Sequence, residues 1–322
     1  MSGIGAIALK AFEQIARGLD LDGQCRLARG NSDDVHTEVL RRALTTEIYS
    51  RFYIGNRILA QLPGSLSTPG SLVDVLLSAL PVDSGIDWEW RVAHRVGTTI
   101  TASRKGWIRE FHAGDYLRSR LGDEVGFPIG VSQSHVDIDD QNQALIYRFK
   151  VDGQPLVAQQ VRFYFHVKPE SAALCLHEIT HALADWDVPH SIKCPMFGSG
   201  FSRSDAMVVY MDRRDVALSS LLLGPVCDRL QDDMHQTTPL FALPLRPGVA
   251  FAESPRDMQS FGMSRSRHCA AALLALVHGA STPAQRVEVM IDHFLKVGIS
   301  LRAPHLNEYS KYPYCFHELH SE

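Results

Sequence analysis

The architecture of this chain is indicated most clearly by the segment Val161-Arg162-Phe163-Tyr164-Phe165-His166-Val167-Lys168, whose residues alternate between apolar and polar without interruption. Successive side chains of a β-strand point to opposite faces of a sheet. The pattern therefore predicts a strand whose four apolar residues enter a core. The polar residues that share the other face are Arg162, Tyr164, His166 and Lys168. We interpret this row as a surface for an anionic substrate, with His166 as a candidate proton donor.

Helical and strand patterns are mixed along the chain without a regular βα alternation, which favours the α+β class. Apolar residues recur at three- and four-residue spacing near the N-terminus, and short strand patterns follow. We predict an N-terminal helical region over residues 1–85 and an α+β domain over residues 86–322. The N-terminal helices are expected to pack on a mixed or antiparallel sheet with flanking helices. The Pro- and Gly-rich region 239–262 is predicted to be irregular.

The composition is that of an ordinary globular protein. The net charge of −4 gives no support to a general nucleic-acid binder or a polybasic membrane binder. No apolar run approaches the roughly 18 residues that span a bilayer. The six cysteines are far apart and form no C-x-x-C pair, which is typical of reduced thiols. We therefore predict a cytoplasmic protein without a nucleic-acid or membrane partner.

The segment His177-Glu178-Ile179-Thr180-His181 spells the zinc-protease motif H-E-x-x-H. Two histidines at i and i+4 share one face of a helix, the glutamate can act as a general base, and Asp187 is a possible third ligand. Ala184, however, stands where the extended motif has a glycine that turns the chain. The motif is short and matches often by chance, so we interpret it as part of an amphipathic helix with no metal. A zinc metalloprotease remains an alternative.

A set of basic residues provides the competing interpretation. Lys193 lies in the short apolar strand Ser191-Ile192-Lys193-Cys194, where a charged amine is costly to bury unless it is paired or neutralised. Arg203 and Asp205 precede a second apolar strand, which runs towards Tyr210. Each of these residues can also be a surface residue with a buried stem. The lysine is the hardest of them to explain in that way.

Two further arginines, Arg265 and Arg267, follow Ser260-Phe261-Gly262 at the predicted start of a helix. The N-terminus of a helix offers oriented N–H groups and the positive end of the helix dipole, and guanidinium groups bind phosphate through two hydrogen bonds. The pattern therefore predicts a phosphate site.

A set of segments is spread from about residue 40 to residue 308. They are Ile48-Tyr49-Ser50-Arg51-Phe52-Tyr53, Val161-Arg162-Phe163-Tyr164, Val188-Pro189-His190-Ser191-Ile192-Lys193, Arg203-Ser204-Asp205-Ala206 running to Tyr210, Pro239-Leu240-Phe241, Gly248-Val249-Ala250-Phe251-Ala252-Glu253-Ser254-Pro255, Ser260-Phe261-Gly262-Met263-Ser264-Arg265 and Gly298-Ile299-Ser300-Leu301-Arg302-Ala303-Pro304-His305-Leu306-Asn307. In their order and spacing, these segments resemble the HopA family of type III secretion effectors and its relatives in peptide-maturation clusters.

The resemblance implies an activity, because this family is similar to phosphothreonine lyases, which eliminate phosphate from phosphorylated side chains. In those lyases a lysine is the base, a histidine on a strand is the acid, and arginines hold the phosphate. By resemblance, Lys193 is the base and His166 the acid, while Arg203 and Arg265 bind the phosphate.

Other positions match less closely. Tyr210 and Arg267 stand at supporting positions of the lyases. Tyr164 replaces a phosphate-binding lysine two residues before the acid histidine, so Arg162 or Lys168 is expected to compensate for the missing charge.

These residue types suit β-elimination. The base must be neutral near working pH, and a lysine reaches that state when it is desolvated and crowded by other cations. We expect Arg203 and Arg265 to crowd Lys193, and we expect His166 to protonate the departing oxygen. The mechanism requires no metal and no cofactor.

The resemblance also implies partners. Family members accompany a kinase-like protein in pathways that form dehydroamino acids in lanthipeptides and thioamide-containing peptides. A helix predicted within the first dozen residues, in place of a long Ser/Gly-rich secretion segment, favours this role over a secreted effector. The substrate is then a phosphorylated ribosomal precursor peptide. A non-catalytic scaffold that holds the phosphopeptide or the kinase remains an alternative.

Overall fold

The fold is described from a computed structural model. It covers residues 5–29, 37–54, 75–76, 78–80, 85–104, 107–111, 117–118, 124–129, 134–138, 144–149, 159–186, 188–195, 198–257, 259–277 and 281–319. Helices and two antiparallel sheets are combined in these residues, so the predicted α+β class is confirmed. None of the helices in this part of the chain is both long and apolar enough to cross a membrane.

The smaller sheet has the spatial order β3-β2-β1-β5-β4 and the larger sheet has the order β11-β12-β8-β10-β9-β7-β6. The strands are β1 (Gly85–Val96), β2 (Thr99–Arg104), β3 (Trp107–Phe111), β4 (Leu117–Arg118), β5 (Glu124–Ile129), β6 (Ser134–Ile138), β7 (Ala144–Phe149), β8 (Gln160–Phe165), β9 (His190–Pro195), β10 (Met207–Asp212), β11 (Leu243–Arg246) and β12 (Val249–Glu253). Strand β8 lies between β10 and β12, inside the larger sheet, and that position gives it neighbours on both edges.

Helices occur at both ends of the described chain and between the strands of the larger sheet. They are α1 (Ala6–Gly18), α2 (Leu21–Arg29), α3 (Thr37–Glu47), a π-helical turn (Ile48–Tyr53), α4 (Ala172–Ala184), α5 (Val216–Arg229), α6 (Phe261–Leu273) and α7 (Pro283–Lys296). The side chain of Ser260 caps α6 and that of Thr282 caps α7 within a capping box. Such caps satisfy backbone N–H groups that the first helical turn leaves unpaired.

The alternation of the β8 segment is present as predicted. Val161, Phe163, Phe165 and Val167 all enter one hydrophobic core. This first face of the sheet packs on α4 and α5, whose buried residues belong to the same core. The register therefore directs the intervening residues of β8 to the opposite, second face.

The second face is also buried, which corrects the expectation of an open polar row. Arg162, Tyr164 and His166 are only 7%, 2% and 6% exposed. Tyr164 shares a second core with residues of α1, α3, α6 and α7, and its ring lies 6.5 Å from that of Phe261. A layer of helices covers this face, so the polar side chains lie inside the protein.

The region 239–262 is not irregular as predicted, because it contains β11 and β12. Strand β12 pairs with β8 from Val249 opposite Phe165 to Glu253 opposite Val161. Two of the residues that suggested irregular structure lie outside any central strand. Pro244 lies in β11, the first strand in the spatial order, and Gly248 lies in the turn between β11 and β12 with a φ of +73°. Both positions tolerate these residues without interrupting a central strand.

The N-terminal helices share a core with the larger sheet. The ring of Phe12 in α1 lies 4.9 Å from Phe294 and 5.7 Å from Phe241. The backbone N–H of Gly5 donates to the carbonyl of Leu301 at 3.0 Å. The boundary near residue 85 stays a prediction.

Candidate functional site

The register of the larger sheet brings Lys193 and Tyr164 into one row. Lys193 of β9 lies opposite Val208 of β10, and Val208 lies opposite Tyr164 of β8. Residues opposite each other in antiparallel strands point to the same face, so all three belong to the second face. Two strand spacings separate Lys193 from Tyr164, or roughly 10 Å between Cα atoms.

Lys193 itself is exposed, and this corrects the expectation of a desolvated lysine. Its strand neighbours Ile192 and Cys194 enter the first-face core, whereas Lys193 points the other way. Lys193 shares its row with Val208, Tyr164 and Ala250, which lie nearer the middle of the sheet and belong to the second core. The lysine thus lies at the margin of the covered region, where solvent reaches its amine.

The next row of the second face contains Arg162 and Tyr210, which lie opposite each other in register. The guanidinium of Arg162 lies 5.3 Å from the centre of the Tyr210 ring. Its Nε donates to Ser254 Oγ at 2.9 Å and its Nη2 donates to the carbonyl of Gln259 at 3.0 Å. Burial raises the pKa of both Tyr210 and Tyr164, so both hydroxyls stay protonated.

His166 continues the same face just beyond the end of β8. Its Nδ1 lies 2.9 Å from Oγ1 and 3.1 Å from the carbonyl oxygen of Thr237. Its Nε2 is buried and has no hydrogen-bond partner in the described structure. Burial, together with the nearby His235 ring, lowers the pKa of His166 to about 4. The neutral imidazole therefore presents an unsatisfied Nε2 to the second face.

Arg203 lies where the 3-10 turn Gly198–Ser202 leads into β10, and it is already engaged by protein groups. It binds the Asp205 carboxylate through two contacts, Nε–Oδ1 at 2.8 Å and Nη2–Oδ2 at 3.0 Å. Nη2 also donates to the Tyr49 hydroxyl at 2.8 Å. The Arg203 side chain nevertheless retains 39% exposure, so an anion can approach it from solvent.

Arg265 differs from the expected phosphate anchor. It is fully buried in α6, where Nε donates to the carbonyl of Pro304 at 2.9 Å and Nη2 to that of Leu306 at 2.6 Å. Nη1 lies 3.4 Å from Ser264 Oγ. Burial lowers the pKa of this guanidinium to about 10. Arg265 therefore ties α6 to the segment 304–306, because the side chain points into the protein and not towards solvent at the helix start.

Two other predicted basic residues have their own partners. Arg267 forms an ion pair with Asp257 near the start of α6. Lys168 donates from Nζ to the carbonyl of Asp232 at 2.6 Å. Within the described residues, neither Arg267 nor Lys168 forms a hydrogen bond with His166 or Lys193. Their roles as phosphate ligands stay predictions.

The H-E-x-x-H motif lies on α4, which packs on the first face and therefore opposite His166. The imidazole rings of His177 and His181 are 4.0 Å apart, Nδ1 of His177 donates to the carbonyl of Ala79 at 3.1 Å, and Glu178 pairs with Arg229. Within the described ranges, no three side chains of His, Cys, Asp or Glu are gathered as a metal site. Asp187, the suggested third ligand, lies outside the described residues.

Sequence reasoning missed three residues of this site, and it named a fourth, Asp205, without giving it a role. Thr237 and His235 contact His166, and Tyr49 and Asp205 bind Arg203. Asp205 and Tyr49 lie within segments that carry the resemblance, which was a usable signal. His235 and Thr237 belong to a loop with no local pattern, and 71 residues separate Thr237 from His166.

The arrangement combines an exposed primary amine, an imidazole with a bare Nε2, and a solvent-accessible guanidinium around one face of a sheet. An amine can accept a proton, an imidazole can give one, and a guanidinium can hold an oxyanion. Together these groups can perform proton transfers on a bound anion.

The chain was compared with known proteins. The profile of the HopA1 effector protein family matches residues 139–306, more than half of the chain. The structure of the effector protein from Pseudomonas syringae pv. syringae strain 61 is similar with a TM-score of 0.50 and 13% identity, covering 93% of this chain and 97% of that one. The structure of the effector protein from Pseudomonas syringae pv. tomato strain DC3000 has a TM-score of 0.46 and 12% identity, covering 92% and 98%. No curated protein matches the chain.

Proposed function

This chain belongs to the HopA1 effector protein family, and from that premise we propose that it is a metal-independent phosphoserine or phosphothreonine lyase. The proposed substrate is a phosphorylated ribosomal precursor peptide, and the products are a dehydroamino acid residue and inorganic phosphate. The observation that carries the proposal is the register, because Lys193, Tyr164 and His166 share the second face of one sheet.

The chemistry divides between two residues. The neutral amine of Lys193 takes the α-proton of the phosphorylated residue, and the electron pair of the Cα–H bond forms the Cα=Cβ bond. The Cβ–O bond breaks and phosphate departs with its electron pair. Protonated His166 gives its Nε2 proton to the departing oxygen. No water is consumed, so the peptide loses the elements of phosphoric acid.

Exposure of Lys193 is compatible with this role once substrate is bound. A peptide that lies across the margin of the second face removes water from the amine, and desolvation favours its neutral form. The unpartnered Nε2 of His166 is the second support. A buried polar atom without a partner costs about 1–3 kcal/mol, a cost that a phosphate oxygen would relieve once Nε2 carries a proton and can donate to it.

Phosphate binding is assigned to Arg203 first, because its side chain is accessible. Arg162 lies on the same face and compensates for the tyrosine at position 164. Arg265 acts indirectly, by holding the segment 304–306 against α6. This division replaces the two equivalent arginine anchors that the sequence predicted.

A non-catalytic scaffold is the second candidate, and a specific observation favours it. The donors of Arg162 and Arg265 are already engaged by protein groups, and Lys193 is exposed. A surface of this kind can hold a phosphopeptide or a kinase-like partner without reacting. A kinase-like partner and a cytoplasmic location are part of the proposal. A secreted role is the alternative, because the similar structures are described as effector proteins.

Mass spectrometry of a phosphothreonine or phosphoserine peptide after incubation with the protein tests the proposal. If the protein is a lyase, the mass of the peptide falls by that of phosphoric acid. The new double bond then reacts with an added thiol. A product with a restored hydroxyl indicates a phosphatase and overturns the proposal. An unchanged peptide that binds the protein supports the scaffold.

A further inference from the structure

One loop segment, Met234–Thr237, contacts the ring and the backbone of His166 and pairs with the residue that follows it. The His235 ring centre lies 4.4 Å from the His166 ring centre. The backbone N–H of His235 donates to the carbonyl of His166 at 2.8 Å, and Met234 forms a β-bridge with Val167. Thr237 holds Nδ1. The segment therefore fixes both the backbone and the ring of the histidine.

The contacts at Nδ1 decide where the proton of the neutral imidazole lies. A backbone carbonyl can only accept a hydrogen bond, so the 3.1 Å contact between Nδ1 and the Thr237 carbonyl is a hydrogen bond only when Nδ1 carries the hydrogen. In a neutral imidazole the other nitrogen then carries a lone pair. Nε2, buried and without a partner in the described structure, is that bare nitrogen.

We propose that the segment Met234–Thr237 is the positioning element of His166, in which Thr237 sets the tautomer and His235 sets the orientation and charge of the ring. The inference rests on the proposed function, since it assigns the donor atom of the acid. Its consequence is that Nε2 is the atom through which His166 exchanges a proton with the substrate.

The charged groups around His166 make its protonation dependent on the substrate. Burial and then the packed His235 ring lower the pKa of His166, and burial and then Lys168 lower the pKa of His235. Glu170 acts on His235 and Asp205 acts on His166 in the opposite direction. A phosphate dianion beside Nε2 adds two negative charges and raises the pKa of His166. Binding of the phosphorylated substrate therefore favours the protonated form of His166, which is the form that can act as the acid.

The test is a titration by NMR of the whole protein labelled with ¹⁵N-histidine, with His166 assigned through His166→Gln. The nitrogen shifts report the tautomer without any need for activity. We expect neutral His166 to carry its proton on Nδ1 in the parent and in Thr237→Ser, which keeps the hydroxyl. Thr237→Val removes the hydroxyl contact and keeps the backbone carbonyl, so it is expected to shift part of the population to the Nε2–H tautomer. A parent that carries the proton on Nε2 overturns the inference.

The charge on His235 is tested in the same spectra. His235→Phe keeps the ring contact but removes the titratable group, so His166 is expected to titrate at a higher pH. His317→Gln, at an exposed histidine of the C-terminal turn, is the control and leaves the His166 titration unchanged. An unchanged His166 titration in His235→Phe contradicts the assignment of His235.

Kinetics on a phosphothreonine peptide add a second readout. In His235→Phe the fall of kcat at high pH should move to higher pH, whereas a merely structural role lowers kcat equally at every pH. Thr237→Val should lower kcat about threefold to tenfold, the change expected for loss of one hydrogen bond, and Thr237→Ser should recover it. If the NMR results hold while no variant forms product, the lyase proposal fails and the positioning inference stands. If product forms but the neutral His166 of the parent carries its proton on Nε2, the lyase proposal stands and the positioning inference fails.

Discussion

The guanidinium of Arg203 is held by the carboxylate of Asp205 through two contacts, at 2.8 and 3.0 Å. The pair is not fully buried, since the Arg203 side chain is 39% and the Asp205 side chain 10% exposed. A phosphate that binds Arg203 must therefore approach a negative charge as well as a positive one. The balance between these two charges sets the affinity of the site for an anion.

Neutralising Asp205 should strengthen phosphopeptide binding. Asp205→Asn keeps an acceptor for Arg203 but removes the repulsion, and we expect the Kd to fall roughly fivefold, the effect of about 1 kcal/mol between partly solvated charges. Isothermal titration with a phosphonate analogue that cannot eliminate measures it. Glu178→Gln, which breaks the ion pair with Arg229 on the first face, is the matched control and should bind like the parent. Weaker binding by Asp205→Asn would show that the carboxylate serves mainly to orient Arg203.

The two arginines of the predicted phosphate site should behave differently. Arg203→Ala should weaken binding of the same analogue by about 1.5–3 kcal/mol, the value of a hydrogen bond to a charged group. It should also lower the midpoint of thermal unfolding, because the Asp205 carboxylate, 10% exposed, loses both of its contacts with Arg203. Arg265→Ala should lower the free energy of unfolding without removing a phosphate contact, because it leaves the buried carbonyls of Pro304 and Leu306 without donors at about 1–3 kcal/mol each. Denaturant unfolding and titration on both variants separate these effects. A stable Arg265→Ala that has lost only binding would return Arg265 to the phosphate site.

Metal chelation should have no effect on activity or stability. The H-E-x-x-H helix packs on the face opposite His166, and Glu178 is paired with Arg229. Treatment with a strong chelator, followed by the peptide assay and a thermal melt, is the measurement. His177→Ala should match the parent in both. Stoichiometric zinc that is lost from His177→Ala, together with loss of peptide cleavage, would support the metalloprotease instead.

Stability should fall as the solution is acidified from pH 6.5 towards pH 4. Burial lowers the pKa of His166, His190 and His305 to about 4 from an ordinary value of 6.5. The unfolded chain then binds more protons than the folded chain within this window, so the stability present above pH 6.5 is lost as the pH falls. Asp215 has the opposite effect on stability and offsets the contribution of about one histidine, since burial raises its pKa to about 6. We expect a net loss on the order of a few kcal/mol, visible in thermal melts across the window. A midpoint that is constant between pH 4 and pH 6.5 would contradict the burial of these histidines.

Local pattern was sufficient to predict β8, an interior strand of the larger sheet. The alternation from Val161 to Lys168 is a property of consecutive residues, and the side chains point as the alternation requires. What covers the second face is not a local property, because α1, α3, α6 and α7 come from distant parts of the chain. The burial of Arg162 and His166 could not be predicted for that reason.

The candidate site was predictable to the same extent. Lys193 and His166 were singled out because their segments have strand patterns, and the register and alternation place both on the second face. Arg265 was predicted to be accessible to phosphate, because a basic residue at the start of a helix is usually exposed. In the fold the segment 304–306 packs over it. Thr237 gave no signal, since its role depends on a contact across 71 residues.

The central claim is that Lys193 removes the α-proton in a β-elimination. The most direct measurement follows turnover of a phosphothreonine peptide with hydrogen or deuterium at Cα, by the parent, Lys193→Ala and Lys193→Arg. The account predicts a primary isotope effect in the parent and no elimination in either variant, because arginine stays charged at any accessible pH. Both variants should still bind the phosphonate analogue, since the lysine acts mainly in the transition state. Full elimination by Lys193→Ala, with the isotope effect unchanged, would contradict the claim.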